Sequence, residues 1–341
     1  FLIFFMGLNI IDWFSLLFTF LFQFFLFRNG HHLIKTLINF SGFFIYFGLF
    51  LFLIIIASEN YDDLLFRFKE IIIYENIFIK ENISPLIAVT GTIFAYFSII
   101  ILNFGDFSRY SKNENELKKG NFTLIINIIL FSFLSLLIVF GADIVINKDL
   151  ITSEKLLTNP TDIIGKINNT YLTVVALLFI LVASLSTNLI ANYIPSQNTL
   201  LNFLPKQLNL NTSGLLIIIF GLLVATFWLP VLSQIGILSF LDTLGAFFGP
   251  IFGLIIADYY LIKKSKVINK DIFSSRKGSK YLYSNGWNIK AVYAIFIGFI
   301  FASSTIWNPN LNFLQSFIWI EGALVTYVTY YLLANTVSKN E

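Results

Sequence analysis

The chain has 341 residues, of which 57% are hydrophobic, 18% aromatic and only 12% charged, and its net charge is +3. A mean hydropathy of +0.80 excludes an ordinary water-soluble domain, because about a quarter of the residues in such domains are charged. The absence of cysteine excludes disulfides, thiolate metal sites and cysteine nucleophiles. These properties predict an all-α polytopic membrane protein.

Nine apolar segments are long enough to cross a bilayer, which takes roughly 20 residues. In chain order they are residues 3–27, 37–57, 84–104, 122–146, 171–194, 213–230, 235–262, 290–308 and 313–335. The first segment follows directly on Phe1 and lacks the basic region and cleavage site of a signal peptide. We therefore expect a fragment whose N-terminal part is missing.

Lysine and arginine are concentrated in alternate connections, at residues 28–36, 105–121 and above all 262–290. The positive-inside rule places these connections in the cytoplasm, whereas the more acidic residues 58–83 are expected outside. Within them, residues 61–80 have the apolar spacing of an amphipathic surface helix. The prediction is a multi-pass protein of the cell inner (plasma) membrane with a cytoplasmic C-terminus.

Residues 183–205 place hydroxyls and amides inside an otherwise apolar chain. On a helix, Ala183, Ser186 and Thr187 share one face, while Asn188 and Asn192 form an adjacent stripe. Hydroxyl and carbonyl oxygens suit a small alkali cation, and amides match a flat heterocycle with alternating N–H and C=O groups. A polar cluster inside a membrane is by default a candidate functional site. The alternative is that these side chains only join helices by hydrogen bonds.

The third apolar segment ends in a short charged motif. Asp106 and Arg109 are three residues apart and can pair at the membrane boundary, although a self-capped helix end that sets topology would have the same residues. Two to three turns deeper, Tyr96 and Phe97 provide rings that could stack on a planar ligand.

Glycines recur every four residues in the seventh segment. Gly245, Gly249 and Gly253 make a stripe without side chains, which lets a neighbouring helix approach closely. Pro250 within the stripe suggests a kink or hinge, and Asp242 must face protein or water.

Three collinear runs resemble the nucleobase:cation symporter-1 family, which comprises the cytosine/purine, uracil, thiamine and allantoin permeases. They are Asp106-Phe-Ser-Arg-Tyr, Ser186-Thr-Asn-Leu-Ile-Ala-Asn192 followed by Pro205-Lys206, and Gly249-Pro-Ile-Phe-Gly-Leu-Ile-Ile-Ala-Asp-Tyr-Tyr-Leu-Ile-Lys263. The resemblance implies the leucine-transporter-type fold of two inverted five-helix repeats plus two further helices, here truncated to about nine transmembrane helices.

The same resemblance implies a division of the chain. It assigns 1–57 to the end of the first repeat, 58–83 to an external loop, 84–262 to the second repeat, 263–289 to a basic cytoplasmic loop, and 290–341 to the two additional helices and the tail.

Site residues are also implied by the resemblance. The family's eighth helix holds sodium, which here corresponds to the Ala183 carbonyl and the Ser186 and Thr187 hydroxyls, and its asparagines, here Asn188 and Asn192, hold or support the substrate. The family's sixth helix often carries Gly-Trp, with the Trp stacked on the substrate. This chain departs from that pattern, because Tyr96 and Phe97 occupy the matching positions. The remaining candidates, for gating or packing, are Asp106, Arg109, Gly245, Gly249, Pro250 and Gly253.

The function implied is cation-coupled secondary active uptake of a nucleobase or related planar heterocycle, such as cytosine, uracil, a purine, hydantoin or allantoin, by alternating access. The coupled ion is Na⁺ or, through Asp12 or Asp242, H⁺. Neither a resident cofactor nor a nucleic-acid partner is expected, and the surrounding partner is membrane lipid. The alternatives are a non-transporting structural or receptor-like membrane protein and an inactive fragment of the transporter.

A membrane-embedded enzyme would need ionisable groups gathered at one depth. The candidates Asp12, Asp242 and Glu321 lie on separate segments, and His31 and His32 lie in a predicted cytoplasmic loop. We therefore predict that the chain is not an enzyme.

Overall fold

The computed structural model describes residues 4–5, 8–28, 31–72, 80–147, 160–166, 169–272, 274, 276–284 and 286–335. Almost all of them are helical, apart from a short antiparallel pair of strands, β1 (Phe4–Phe5) and β2 (Leu8–Asn9). The chain forms two compact units, one of Phe1–Glu75 and Asp106–Phe227 and the other of Asn76–Gly105 and Trp228–Glu341.

In chain order the α-helices are α1 (Ile10–Arg28), α2 (His31–Ile72), α3 (Lys80–Leu102), α4 (Phe104–Ser108), α5 (Glu114–Asn147), α6 (Pro160–Gly165), α7 (Thr170–Asn188), α8 (Ile194–Phe203), α9 (Leu210–Ile235), α10 (Ile237–Ile256), α11 (Asn269–Ile272), α12 (Ile289–Trp307) and α13 (Ile318–Asn335). Two π-helical turns interrupt this series, the first at Leu189–Tyr193 and the second at Ala257–Ile262, and a 3₁₀ segment covers Pro309–Phe317.

Eight of the described helical stretches are long and apolar enough to cross a membrane. They are Ile34–Ser58, Pro85–Leu102, Glu114–Val145, Thr170–Phe203, Leu210–Phe227, Ser239–Ile262, Ile289–Trp307 and Phe313–Asn335. They match the second to ninth predicted segments, so a multi-pass membrane protein is confirmed.

The first predicted segment is shorter than expected, since its apolar helix is confined to Ile10–Leu26. The reason is local, because the strand pair occupies the preceding residues. At the start of α1, the Asp12 N–H donates to Asn9 Oδ1 at 2.9 Å, and the Asn9 N–H donates to Asp12 Oδ2 at 3.3 Å. This reciprocal capping begins the helix where the strand pair ends.

Helix α2 has a break in the first unit at Asn60, whose φ of −135° and ψ of 36° are not helical. Beyond the break the chain is helical to Ile72, Leu64 is buried, and Phe68 packs edge-on against Phe133 with ring centroids 5.5 Å apart. The predicted loop at 28–36 is mostly helix, because α2 already begins at His31. The tail 336–341, for which a cytoplasmic position is predicted, lies outside the described residues.

Candidate functional site

The polar segment of the sequence forms one helical rod in the first unit, made of α7, the first π turn and α8. At the π turn, the N–H of Ile194 donates to the carbonyl of Leu189, five residues earlier. The next residue, Pro195, has no N–H, so the carbonyl of Ala191 lacks its α-helical donor. Single π turns within α-helices are frequent at functional sites, and this turn begins directly after Asn188 and contains Asn192.

The π turn is anchored by an apolar cluster. Leu189 and Tyr193 are buried against Ile34 of α2 and Ile218 of α9, with rings of α1 packed around them. The Tyr193 hydroxyl lies so close to Gly214 that a Cβ there would be 2.5 Å away. One face of the turn is therefore fixed by three neighbouring helices, and Asn192 lies on the exposed remainder.

Three amides form a hydrogen-bonded chain at this turn. Asn188 Nδ2 donates to Gln23 Oε1 of α1 at 3.1 Å, and Asn192 Nδ2 donates to Asn188 Oδ1 at 2.7 Å. Gln23 is buried, at 3% exposure, whereas Asn192 is exposed. The chain thus runs from the protein interior to an accessible amide, which we call the amide relay.

Gln23 is the site residue that sequence reasoning missed. It is a single amide in an apolar helix, and its partner Asn188 is 165 residues away in the chain. The only indication in the sequence was its position, because an amide within an apolar span needs a hydrogen-bond partner. The Gln23–Asn188 bond is also the interhelical bond that the alternative interpretation of the polar segment predicts.

The predicted cation ligands occupy the last turns of α7. The Ser186 hydroxyl donates to the Ala183 carbonyl with 3.1 Å between the oxygens. Ser186 is buried, Ala183 is half-buried and Thr187 is exposed. The Ser186 oxygen keeps its lone pairs while its proton is held by the carbonyl, so both oxygens are fixed close together.

The predicted pair at Asp106 is present and has an additional partner. Asp106 Oδ1 accepts from Arg109 Nη2 at 3.0 Å and from Asn198 Nδ2 at 2.9 Å. Asn198 belongs to α8, six residues beyond Asn192. The charged motif is therefore bonded directly to the rod that carries the candidate site.

The two candidate stacking rings lie on α3 in the second unit. Tyr96 and Phe97 contact each other edge-on, with centroids 5.2 Å apart. Tyr96 is 58% exposed and Phe97 is half-buried. Stacking on a substrate stays a prediction.

The glycine stripe of α10 lies against α13 in the second unit. A Cβ on Gly249 would collide with the carbonyl oxygen of Trp319, and one on Gly253 with that of Ala323. A Cβ on Gly245 would lie 3.0 Å from the Cβ of Ala95. Pro250 is buried within the stripe, and α10 continues through it. The stripe therefore allows backbone-to-backbone packing of α10 and α13.

The acidic candidates lie on separate elements. Asp242 accepts a hydrogen bond from Gln315 Nε2 at 3.0 Å, Asp12 caps α1, and Glu321 belongs to α13. Within the described part of the chain, no three His, Asp or Glu side chains are grouped as a metal site. The side chains of His31 and His32 lie outside the described residues.

Comparisons with known proteins agree on one family. Its sequence profile, described as "Permease for cytosine/purines, uracil, thiamine, allantoin", matches residues 5–333. The chain is 26% identical over 255 residues to the allantoin permease of Bacillus subtilis, covering 74% of this chain and 50% of that protein. It is 30% identical over 206 residues to a purine-uracil permease of Arabidopsis thaliana, covering 60% of this chain and 33% of that protein. The chain thus spans half the length of the first relative and a third of the second.

Among solved structures, the chain resembles MHP1, a nucleobase-cation-symport-1 family transporter in a closed conformation with bromovinylhydantoin bound. The TM-score is 0.69 at 16% identity, with 97% of this chain and 68% of that chain covered. This similarity confirms the predicted leucine-transporter-type fold. Because the family profile matches nearly the whole length of this chain, the chain belongs to the nucleobase:cation symporter-1 family, the permeases for cytosine and purines, uracil, thiamine and allantoin.

Proposed function

We propose that the protein takes up a nucleobase or related planar heterocycle by cation-coupled secondary active transport with alternating access. The names of its relatives, which are permeases for allantoin, purines and uracil, support this substrate class. The observation that carries the proposal is the amide relay, which ends in the exposed Asn192 on the same rod as the Ala183 and Ser186 oxygens.

In this proposal Asn192 contacts the substrate and Asn188 supports it. Asn192 uses one N–H toward Asn188, which leaves its carbonyl and a second N–H for a ligand. A neighbouring donor and acceptor complement the N–H and C=O groups of a ring such as uracil. Asn188 is bonded on both sides, so its role is to orient Asn192.

The co-transported cation is bound by the Ala183 carbonyl with the Ser186 and Thr187 hydroxyls. Uncharged oxygens suit a hard cation, and sodium is our first choice. Proton coupling is the second candidate. The carboxylates of Asp242 and Asp12, which would relay protons, each accept a hydrogen bond, from Gln315 Nε2 and from the Asn9 N–H respectively.

Cation and substrate would act on one rigid element. Ser186 and Asn192 are six residues apart, which is about 9 Å along a helix axis. Both ligands therefore favour the same position of the rod, and each raises the affinity of the other by the same factor, typically 5- to 150-fold. Alternating access then follows from movement of the rod relative to its neighbours.

The proposal is tested by uptake of radiolabelled uracil, cytosine, hydantoin and allantoin in cells that express the complete reading frame containing these residues. We expect uptake of at least one compound, and Asn192→Ala should abolish it while membrane insertion is unchanged. The control is Asn202→Ala, because Asn202 is an exposed asparagine of α8, farther along the same rod. No uptake of any compound would favour a non-transporting protein, and equal uptake by both variants would contradict the role of Asn192 in substrate binding.

The cation assignment is tested by titrating sodium in the same assay. Thr187→Val removes the hydroxyl but keeps the shape of the side chain, and it should raise the sodium concentration needed for half-maximal uptake. Thr187→Ser keeps a hydroxyl and should leave that concentration close to the value for the unaltered protein. Uptake that is independent of the sodium concentration but is lost when the proton gradient is dissipated would show that the coupled ion is a proton and not sodium.

A further inference from the structure

The connection between α10 and α12 is the most basic part of the chain. Residues 263–290 contain eight lysines and arginines against a single acidic residue, Asp271. We call this segment the basic cap. The whole chain has a net charge of only +3, so the remainder is net acidic and the positive charge is local to the cap.

The basic cap is tied to the second unit at its ends. Lys263 pairs with Asp258, whose other oxygen accepts from the Tyr330 hydroxyl at 2.9 Å. Tyr330 in turn accepts from Asn288 Nδ2 at 3.0 Å. Lys263 also lies 4.8 Å from the centre of the Tyr281 ring. These contacts hold the start of the cap against the second π turn and its end against α13, and they join Tyr281 in its middle to Lys263 at its start.

Exposed apolar side chains alternate with the exposed lysines of the cap. Val267, Ile268 and Ile272 are 37%, 45% and 47% exposed. Lys266, just before Val267, and Lys270, between Ile268 and Ile272, are exposed as well. The positive-inside rule accounts for the charges but not for the apolar side chains. Basic residues mixed with exposed apolar ones are typical of segments at a lipid interface.

The position of the cap relative to a bilayer follows from helix α12. Trp287 precedes this helix and Trp307 ends it, and both are highly exposed. A helix of 19 residues is about 28 Å long, close to the roughly 30 Å of a hydrocarbon core. Tryptophan is enriched at membrane–water interfaces, so Trp287 marks the interface on the side of the cap.

A polar depression of about 480 Å³ lies within the cap. It is lined by Lys270, Asp271, Ser274, Arg276 and Ser279. The two cationic groups are donors for phosphate oxygens, as is the Ser274 hydroxyl, whereas the Ser279 hydroxyl donates to the Ser274 carbonyl. The single carboxylate leaves the lining net positive.

We propose that the basic cap binds the headgroups of anionic phospholipids. Lys264, Lys266, Lys270 and Arg276 contact the phosphates, and Val267, Ile268 and Ile272 meet the boundary of the acyl chains. Juxtamembrane basic clusters attract anionic lipid in this way, with about fivefold enrichment per engaged residue. The inference rests on the cap alone and does not depend on the proposed transport function.

The test uses the protein in nanodiscs of phosphatidylcholine that contain a minor fraction of either brominated phosphatidylglycerol or brominated phosphatidylcholine. Bromine quenches nearby tryptophan, so one variant keeps only Trp287 and a matched variant keeps only Trp307, at the opposite end of α12. We expect phosphatidylglycerol to quench Trp287 more strongly, with about fivefold or greater enrichment, and the two lipids to quench Trp307 equally.

Neutralising the cap by Lys264→Gln, Lys266→Gln and Lys270→Gln should abolish the preference at Trp287, and the corresponding Lys→Arg variant should keep it. If both lipids quench Trp287 equally in the protein with an unaltered cap, the proposal is overturned. It is also overturned if the preference for phosphatidylglycerol survives neutralisation of the cap. Loss of the preference on adding inorganic phosphate at constant ionic strength would indicate a soluble anion site instead. If the single-tryptophan variants do not fold, native mass spectrometry of lipids retained by the unmodified and neutralised caps measures the same preference.

Discussion

Replacing Gln23 by leucine tests whether the amide relay orients Asn192. The two side chains are similar in size, so the packing around α1 is largely kept, but Asn188 Nδ2 loses its acceptor. Hydrogen bonds between membrane helices contribute about 0.6 kcal/mol on average and at most about 1.7, so the protein should fold. Asn188 is then free to rotate, and Asn192 loses its fixed orientation. A net loss of one hydrogen bond, about 0.5–1.5 kcal/mol, corresponds to an affinity reduced about 2- to 13-fold.

The assay measures Kd for radiolabelled uracil and allantoin on purified protein, together with the midpoint of thermal unfolding. Gln197→Leu is the matched control. Gln197 is equally buried in the first unit and also makes one hydrogen bond, donating to the Leu210 carbonyl at 2.7 Å, but it is not part of the relay. Gln23→Leu should weaken binding and Gln197→Leu should not, although both lower the unfolding midpoint. Equal effects of the two substitutions on Kd would refute the relay.

Three further predictions concern stability, each checked by thermal unfolding. Gly249→Ala should cost about 1–3 kcal/mol because its Cβ meets a backbone carbonyl, whereas Gly120→Ala, with open space at that position, should be neutral or slightly stabilising; equal midpoints would contradict the close packing. Burial lowers the pKa of Lys263, but the Asp258 carboxylate together with Tyr283 and Tyr281 raises it more, so the net pKa lies above the ordinary 10.5. The stabilisation by its charge is therefore complete below pH 10.5 and lost as the pH rises through the higher folded-state pKa, and a Lys263→Met variant should lack this loss. Asp106→Ala should lower the midpoint more than Arg109→Ala, because the first removes the acceptor of two hydrogen bonds and the second only a half-exposed ion pair of at most about 1 kcal/mol.

The sequence was sufficient for the spans and the fold class because both depend on the hydropathy of long segments. Eight of nine predicted spans, the second to the ninth, are present as apolar helices, and the first is shortened by the strand pair before Ile10. The glycine spacing likewise predicted a close helix approach, since absence of a side chain is a property of the residue itself.

Contacts between distant segments were not predictable in the same way. The spacing of Asn188 and Asn192 placed them side by side on a helix, but nothing local indicated that Gln23 would be their partner. The π turn was equally hidden, because it depends on Pro195 together with an apolar cluster assembled from α2 and α9. The partner Asn198 of Asp106 belongs to the same group of long-range contacts.

Among the described residues, buried hydroxyls and buried amides differ in a way that explains this contrast. The hydroxyls of Ser98, Thr226 and Thr305 each donate to a carbonyl in their own helix, and the exception is Thr326, which donates to the Ala294 carbonyl of α12. A hydroxyl can be satisfied in this way because it has a single donor and lies close to the preceding turn. An amide has two donors and an acceptor, so a single bond within its own helix, such as that of Asn60 Nδ2 to the Ile56 carbonyl, does not satisfy all of them.

The amides accordingly reach other elements. Gln23 accepts from Asn188, Gln197 donates to the Leu210 carbonyl and Gln315 donates to Asp242. A Ser or Thr within an apolar span is therefore weak evidence of a specific neighbour, whereas an Asn or Gln there predicts a partner on another element. Of the two amides in the first apolar segment, Asn9 is paired with Asp12 at the start of α1, so Gln23 is the one whose partner lies elsewhere. By this reasoning that partner was to be sought among the amides of the other apolar spans.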